Sequence, residues 1–438
     1  MESKKISDIL CLFISSCLCL LLISCGGSGN SSADVDSIQD VAQSDKTREM
    51  SPDVSDGELN ELVTGNTAFA LDLYRYLSSD GGNLFFSPHS ISLALAMTYA
   101  GARTETEQQM AQTLGFTLPQ TRLHPAFNAL ALELTERGNS SEAEEGSGFK
   151  LNIANAIWGQ SGYSFLSDFL DVLAVNYGAG MRLLDFYNSP EPSRETINLW
   201  VEDQTMGKIK DLIPPGSITG LTRIVLTNAI YFNAAWALPF DRELTHEGTF
   251  KSLDGGENMS QMMRKTNHFN YAGDEDYQAV ELPYEGGELS MVVILPGEGR
   301  FRDFEGGLTP EKLAAVVDNF STRNVTVTTP KFSFAPDAIR LSKTLSEMGM
   351  PVAFSYSADF SGIDGTRNLS ISDVLHKAFI KVDEAGTEAA ASTAVIIGIT
   401  GMPPEPIEFT ADHPFIYLIR DIKTGAILFI GRIVELNE

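Results

Sequence analysis

Apolar residues recur at helical spacing early in this chain and at strand spacing late in it. Between Asn66 and Leu77 they fall at positions 69, 70, 73, 74 and 77, which predicts an amphipathic helix. Asn83–Phe86 reads as a short strand running into a Ser87–Pro88 turn. Ile91–Gly101 follows as a nearly all-apolar, buried helix that Ser87 or Ser90 can cap. Leu151–Trp158 is predicted as a strand, and Ser193–Met206 as a helix with Ile197, Trp200 and Val201 facing inward. Arg223–Phe232 suits a central strand. From residue 277 onward strands dominate, at Ala279–Leu282, Leu289–Leu295, Asn324–Phe334 and His376–Val382, with a helix over Ala338–Gly349. Phe409–Ile419 and Ala426–Ile433 are predicted as a terminal hairpin. Helices first and strands later predict an α+β fold rather than regular βαβ alternation. No linker divides residues 61–438, which argues for one large domain.

One stretch fits neither period well. Val382–Met402, VDEAGTEAAASTAVIIGITGM, holds no proline and no basic residue. If extended, it puts Thr387, Ala389, Ala391, Thr393, Val395 and Ile397 on one face. Glu388, Ala390, Ser392, Ala394, Ile396 and Gly398 fall on the other. A segment this small-sided can live as a loop or as a sheet strand, which points to a moving part. A plain alanine-rich strand or helix end is the simpler account of its composition.

Composition narrows the function. The 438 residues are 43% hydrophobic and 20% charged, with a formal net charge of -27. That balance disfavours nucleic acid, whose binding rests on Lys and Arg clusters. The N-terminus adds a targeting reading. Lys4 and Lys5 precede an apolar run over Ile9–Ile23, which predicts an export signal over residues 1–24. Leu22-Ile23-Ser24-Cys25 resembles the lipobox of bacterial lipoproteins, in which the cysteine is acylated. The expectation is a lipid-anchored protein of a bacterial envelope, at the outer membrane or cell surface, with simple secretion as the alternative. Residues 25–60, polar and acidic, are expected to be a flexible tether. All four cysteines, Cys11, Cys17, Cys19 and Cys25, precede the domain, so no disulfide framework is expected in it.

No constellation of residues announces an enzyme. The six histidines show no metal-ligand spacing, no H-E-x-x-H and no G-x-S-x-G elbow occurs, and the domain lacks a cysteine nucleophile. No cofactor and no metal is expected. His376 opens a strand directly before the unusual segment, and Asn228 sits in the long apolar strand. If buried, both need hydrogen-bond partners. Together they suggest a latch inside a sheet rather than chemistry.

At this point the chain resembles the serpin family of serine-protease inhibitors. The likeness is carried by NLFFSPHSIS at 83–92, ALAMTYAGA at 94–102, INLWV at 197–201, GKIKDLIP at 207–214 and TNAIYFN at 227–233. It continues through Trp236, VELPY at 280–284, SMVVILP at 290–296, DHPF at 412–415 and GAILFIGR at 425–432. The resemblance implies about nine helices, three β-sheets and an exposed reactive-centre loop at about 384–404. It implies that Glu384, Gly386, Thr387, Glu388, Ala389, Ala390, Ala391 and Thr393 form the hinge of an inhibitory member, with Ala385 replacing a usual charged residue. It places Ser87, Ser90, Asn228 and His376 in the shutter beneath the main sheet, and Trp236 in the breach where insertion begins.

The implied mechanism is that of a suicide substrate. A serine protease attacks the loop, forms an acyl-enzyme, and is carried off as the loop enters the sheet. Counting from Gly386 puts the reactive bond at Thr400–Gly401, with Ile399 and Met402 as rival specificity residues. No Lys or Arg occurs between Val382 and Ile419, so an elastase-, chymotrypsin- or subtilisin-like target is expected. A monomer is expected, bound covalently to its target. A non-inhibitory binding serpin and an inhibitor of papain-like cysteine proteases are the alternatives.

Overall fold

The computed structural model of the chain describes residues 40–139, 150–387 and 405–436. Its first long helix is Asp56–Leu77, ten residues longer at its start than the apolar spacing alone predicts. The reason is local. Ser55 accepts from the Glu58 N–H while the Glu58 side chain returns to the Ser55 N–H, a capping box that closes the first turn. The next helix, Pro88–Tyr99, is capped by Ser87, whose side chain accepts from the Ser90 N–H. Its residues are almost all buried, as a helix apolar on every side must be.

Two hydrogen-bonded strand networks carry the β-structure. The first has eight strands. Its path runs Val41–Ala42, Met181–Leu184, Lys150–Gln160, Ile224–Ala235, Gly386–Thr387, Ile371–Val382 and Phe332–Phe334, with Ile339–Arg340 also on Ile371–Val382. The second has nine, among them Glu257–Gly273, Tyr277–Pro283, Leu289–Pro296, Phe415–Asp421 and Ile427–Ile433. Glu257–Gly273 joins two sub-sheets within it. Its residues up to Tyr271 pair with His246–Lys251 and Ser321–Pro330, and its last four pair with Tyr277–Pro283. Counted this way, the α+β architecture has the three sheets expected. A core of Leu, Ile, Val and Phe side chains lies between sheets and helices.

Three differences from the sequence reading have physical causes. The strand expected over Asn324–Phe334 divides at Lys331. Ser321–Pro330 belongs to the second network, and Phe332–Phe334 pairs with Ile380–Val382 in the first. A proline at position 330 removes a ladder donor where the chain changes sheets. The helix expected over Ala338–Gly349 is shortened to Ser342–Met348, because Ile339 and Arg340 pair with His376 and Leu375.

The third difference concerns residues 40–55, expected within the tether. Val41 and Ala42 pair with Arg182 and Met181 at the sheet edge. The Glu49 N–H donates to the Val175 carbonyl, and Arg48 Nε to Asn128 Oδ1 at 2.7 Å. Lys46 pairs with Asp171 at 2.7 Å. The seating is mostly polar, with Ala42 and Val54 packed against the core, too few apolar positions for patterning to reveal it.

The membrane reading is corrected. Among the described residues no helix is long and apolar enough to cross a membrane. Even the 22-residue helix Asp56–Leu77 carries Asp56, Glu58, Glu61, Asp72 and Arg75. The expectations of a lipoprotein, of a membrane partner and of an anchored envelope location are withdrawn. Residues 1–24 and Cys25, on which they rested, lie outside the described residues.

Candidate functional site

Two clusters lie along the strand Ile224–Ala235 and just past its end, their centres eight residues and about 26 Å apart at the usual rise per residue. The first is centred on Asn228. Parallel pairing sets His376 directly opposite Asn228 on one side. Antiparallel pairing sets Asn155 opposite it on the other. The start of helix Pro88–Tyr99 lies beneath.

The hydrogen bonds fix a tautomer. The Ser87 N–H donates to His376 Nε2 at 3.1 Å, so Nε2 accepts and the proton sits on Nδ1. His376 Nδ1 then donates to Asn228 Oδ1. Asn228 Nδ2 donates to Ser90 Oγ and to Asn155 Oδ1. Ser90 Oγ donates to Asn155 Oδ1 at 3.0 Å, and Asn155 Nδ2 returns to the Ser90 carbonyl at 3.2 Å. Ser87 Oγ donates to the Leu428 carbonyl at 2.7 Å, which ties the cluster to the second network. Ser87, Ser90, Asn228 and His376 are wholly buried. Burial holds the His376 imidazole neutral, its pKa pushed down to about 3. In the contacts described, His376 meets the Ser87 N–H and Asn228 Oδ1, so the cluster is a buried hydrogen-bond network that joins both strands to the start of helix Pro88–Tyr99.

The second cluster surrounds Trp236. Here the strands Ile224–Ala235 and Ile371–Val382 no longer pair with each other. Their direct register runs from Ile224 with Ile371 to Tyr231 with Phe379. Beyond that, Gly386 and Thr387 lie between them, opposite Ala235 and Ala234 on one side and, for Thr387, Val382 on the other. Gly386 is required by contact, since a Cβ there would lie 2.2 Å from the Ala234 carbonyl oxygen. The turn before it is held at several points. Trp236 Nε1 donates to the Asp383 carbonyl at 3.0 Å, the Trp236 N–H to the Ala385 carbonyl at 2.9 Å, and the Phe240 N–H to the Glu384 carbonyl at 2.8 Å. Glu384 is buried. Lys331 pairs with it at 2.8 Å and Thr245 Oγ1 donates to it at 2.9 Å. Burial pushes the Glu384 carboxyl up, but the Lys331 ammonium and the hydrogen bonds outweigh it and hold the pKa below the usual value.

The structure thus brings Ser87, Ser90, Asn228 and His376 together in one place, and Trp236, Glu384, Gly386 and Thr387 in another. Glu388, Ala389, Ala390, Ala391, Thr393, Ile399, Thr400, Gly401 and Met402 lie outside the described residues. Several members of these clusters were not foreseen, among them Asn155, Lys331, Thr245 and Tyr284. Asn155 was signalled by a polar residue inside a predicted strand. Lys331 and Tyr284, which stacks on Trp236 at 4.6 Å between ring centres, gave no such signal. Among the described residues no group of three or more His, Cys, Asp or Glu could hold a metal ion.

The central strands of this sheet part around a short inserted segment, and the comparisons say to which class of proteins such a chain belongs. The family model described as serpin (serine protease inhibitor) matches residues 64–436. The chain belongs to the serpin family, and with it to a class of protease inhibitors rather than of enzymes. It is 40% identical to an uncharacterized serpin-like protein of Thermococcus kodakarensis over 384 residues, which is 87% of each chain. It is 38% identical to the human leukocyte elastase inhibitor over 386 residues, covering 85% of this chain and 99% of that one. The native-state crystal structure of the thermophilic serpin tengpin superposes with a TM-score of 0.76 at 30% identity, covering 92% of this chain and 98% of that one.

Proposed function

We propose that this serpin is a suicide-substrate inhibitor of serine endopeptidases of elastase-, chymotrypsin- or subtilisin-like specificity. Residues 61–438 work as one domain, with the reactive loop at about 384–404. The observation that carries the reading is the seating of Gly386 and Thr387 between the two central strands. On the face that Thr387 presents, the next residues are Ala389 and Ala391, small enough to enter such a slot, while Glu388 falls on the other face.

The protease serine hydroxyl attacks the Thr400 carbonyl. The Thr400–Gly401 amide bond breaks, an ester forms, and the Gly401 amine leaves with the proton. The freed N-terminal segment then extends the Gly386–Thr387 strand down the sheet. About 14 residues at about 3.4 Å each would move the attached protease on the order of 50 Å. Trapping requires insertion to outrun hydrolysis of the ester. In this reading Ser87, Ser90, Asn228 and His376 close the sheet ahead of the advancing strand, and Trp236 lines its entrance.

The absence of Lys and Arg from Val382 to Ile419 leaves a trypsin-like pocket nothing to grip. The likeness to a leukocyte elastase inhibitor supports an elastase-like target. The test is incubation with pancreatic elastase, chymotrypsin, subtilisin, trypsin and papain. The expected result is an SDS-stable complex with one of the first three and a released fragment beginning at Gly401 or within two residues of it. Clean cleavage with full turnover by every enzyme would reject inhibition, and rapid inhibition of trypsin would reject the specificity.

A further inference from the structure

We infer that Tyr284 is a positioning residue for loop insertion: its hydroxyl latches Thr387 in the first slot of the sheet and so sets where insertion starts. The inference rests on the inhibitory reading above, which gives Tyr284 no role.

The geometry is one-sided. Tyr284 is held independently of the hinge. Its N–H donates to the Leu289 carbonyl at 2.9 Å, and the Glu285 N–H to the Ala235 carbonyl at 2.8 Å. Its backbone bridges Trp236. Its ring is stacked on Trp236 and meets Phe232 edge-on at 5.1 Å. Thr387 is held by a two-residue strand and by one described side-chain bond, its Oγ1 to Tyr284 Oη at 2.8 Å. Both side chains are wholly buried. Thr387 leaving its slot would strand the Tyr284 hydroxyl among aromatic rings, and a Tyr284 lacking its hydroxyl would strand that of Thr387. The bond therefore favours the seated hinge, and insertion after cleavage begins with its first step already made.

Tyr284→Phe keeps the ring and its stacking and removes only the latch. Amide hydrogen exchange at Thr387 reads the seating with no protease present. Loss of a buried hydroxyl's only partner predicts exchange faster by about ten-fold or more. With subtilisin or elastase, the number of inhibitor molecules consumed per protease trapped rises about two- to ten-fold, while the association rate stays within about two-fold. Thr387→Val gives the same result, and the double variant recovers, since no hydroxyl is then orphaned. Unchanged exchange in Tyr284→Phe, or a double variant as impaired as the sum of the single ones, overturns the latch. If the parent protein traps no protease, the inhibitory reading fails, and exchange at Thr387 still decides for or against the latch.

Discussion

The same two strands, Ile224–Ala235 and Ile371–Val382, behave differently at their two ends. Over Ile224–Tyr231 they pair directly and are bolted by a buried polar network that reaches helix Pro88–Tyr99 and the second sheet. Over Ala234–Ala235 they stand apart, with a glycine and a threonine between them and aromatic rings at the rim. The closed end is held by buried polar atoms that bond to one another across both strands and helix Pro88–Tyr99. The open end combines aromatic packing with bonds to the turn before the slot, and the slot itself is filled by small residues. In the proposed mechanism this difference sets where the sheet opens and the direction in which opening travels.

The contrast can be broken at the open end first. Thr387→Arg places a guanidinium where the native side chain is wholly buried, and an unpaired buried charge is strongly disfavoured. The hinge should stay out. The expected result is loss of the SDS-stable complex and cleavage as an ordinary substrate, seen as a rise of about ten-fold or more in the stoichiometry of inhibition. An unchanged stoichiometry would refute insertion for this chain.

At the closed end the effect is smaller and appears as stability. Asn228→Ala orphans His376 Nδ1–H and removes a donor from Asn155 Oδ1. A loss of about 2–4 kcal/mol is expected in urea unfolding. A loss under about 0.5 kcal/mol would mean the network is not a bolt.

The smallest effect sharpens the contrast by pH. His376 has its pKa held near 3 by burial, against an ordinary value of 6.5. Between those values the unfolded chain binds the proton and the folded chain does not, so stability rises with pH across the window. The contribution is complete above 6.5 and is lost as pH falls. His89 and His124, both near 4 through burial, act with the same sign. His376→Asn should make the fall in stability between pH 6 and 5 shallower by about 1 kcal/mol per pH unit. An unchanged slope would show that the imidazole is not neutral and buried in the folded state.

How much of this was legible depended on how each residue is held. Asn228 and His376 announced themselves as polar groups in apolar strands, since burial obliges a partner. The long helices and strands followed from spacing alone. Tyr284 looked like any other large residue beside Pro283 and the Glu285-Gly286-Gly287 turn, because its importance lies in a bond to a residue 103 positions away. The slot was hidden for the same reason, being a register between Gly386 and Ala235 that no local pattern encodes. The division at Lys331 escaped notice because both halves are good strands, and only the two sheets' positions require the change. Residues 40–55 were taken for tether because what seats them is mainly hydrogen bonds and an ion pair, with only scattered apolar contacts at Ala42 and Val54.

Those residues matter in a further way. Among the described residues, Met181–Leu184 has Lys150–Gln160 on one side and only Val41–Ala42 on the other. A bare strand at a sheet border offers its N–H and C=O groups to any passing chain, and self-association commonly begins there. Two residues are a short cover, but the Leu183 N–H also donates to the Asp40 carbonyl at 2.8 Å, and Gly180 packs too closely against Val41 and Ala42 to carry a side chain. The segment that looked like a leash is a selvedge: it finishes one border of the sheet into which the proposed mechanism adds a strand, and so leaves that border closed to a passing chain.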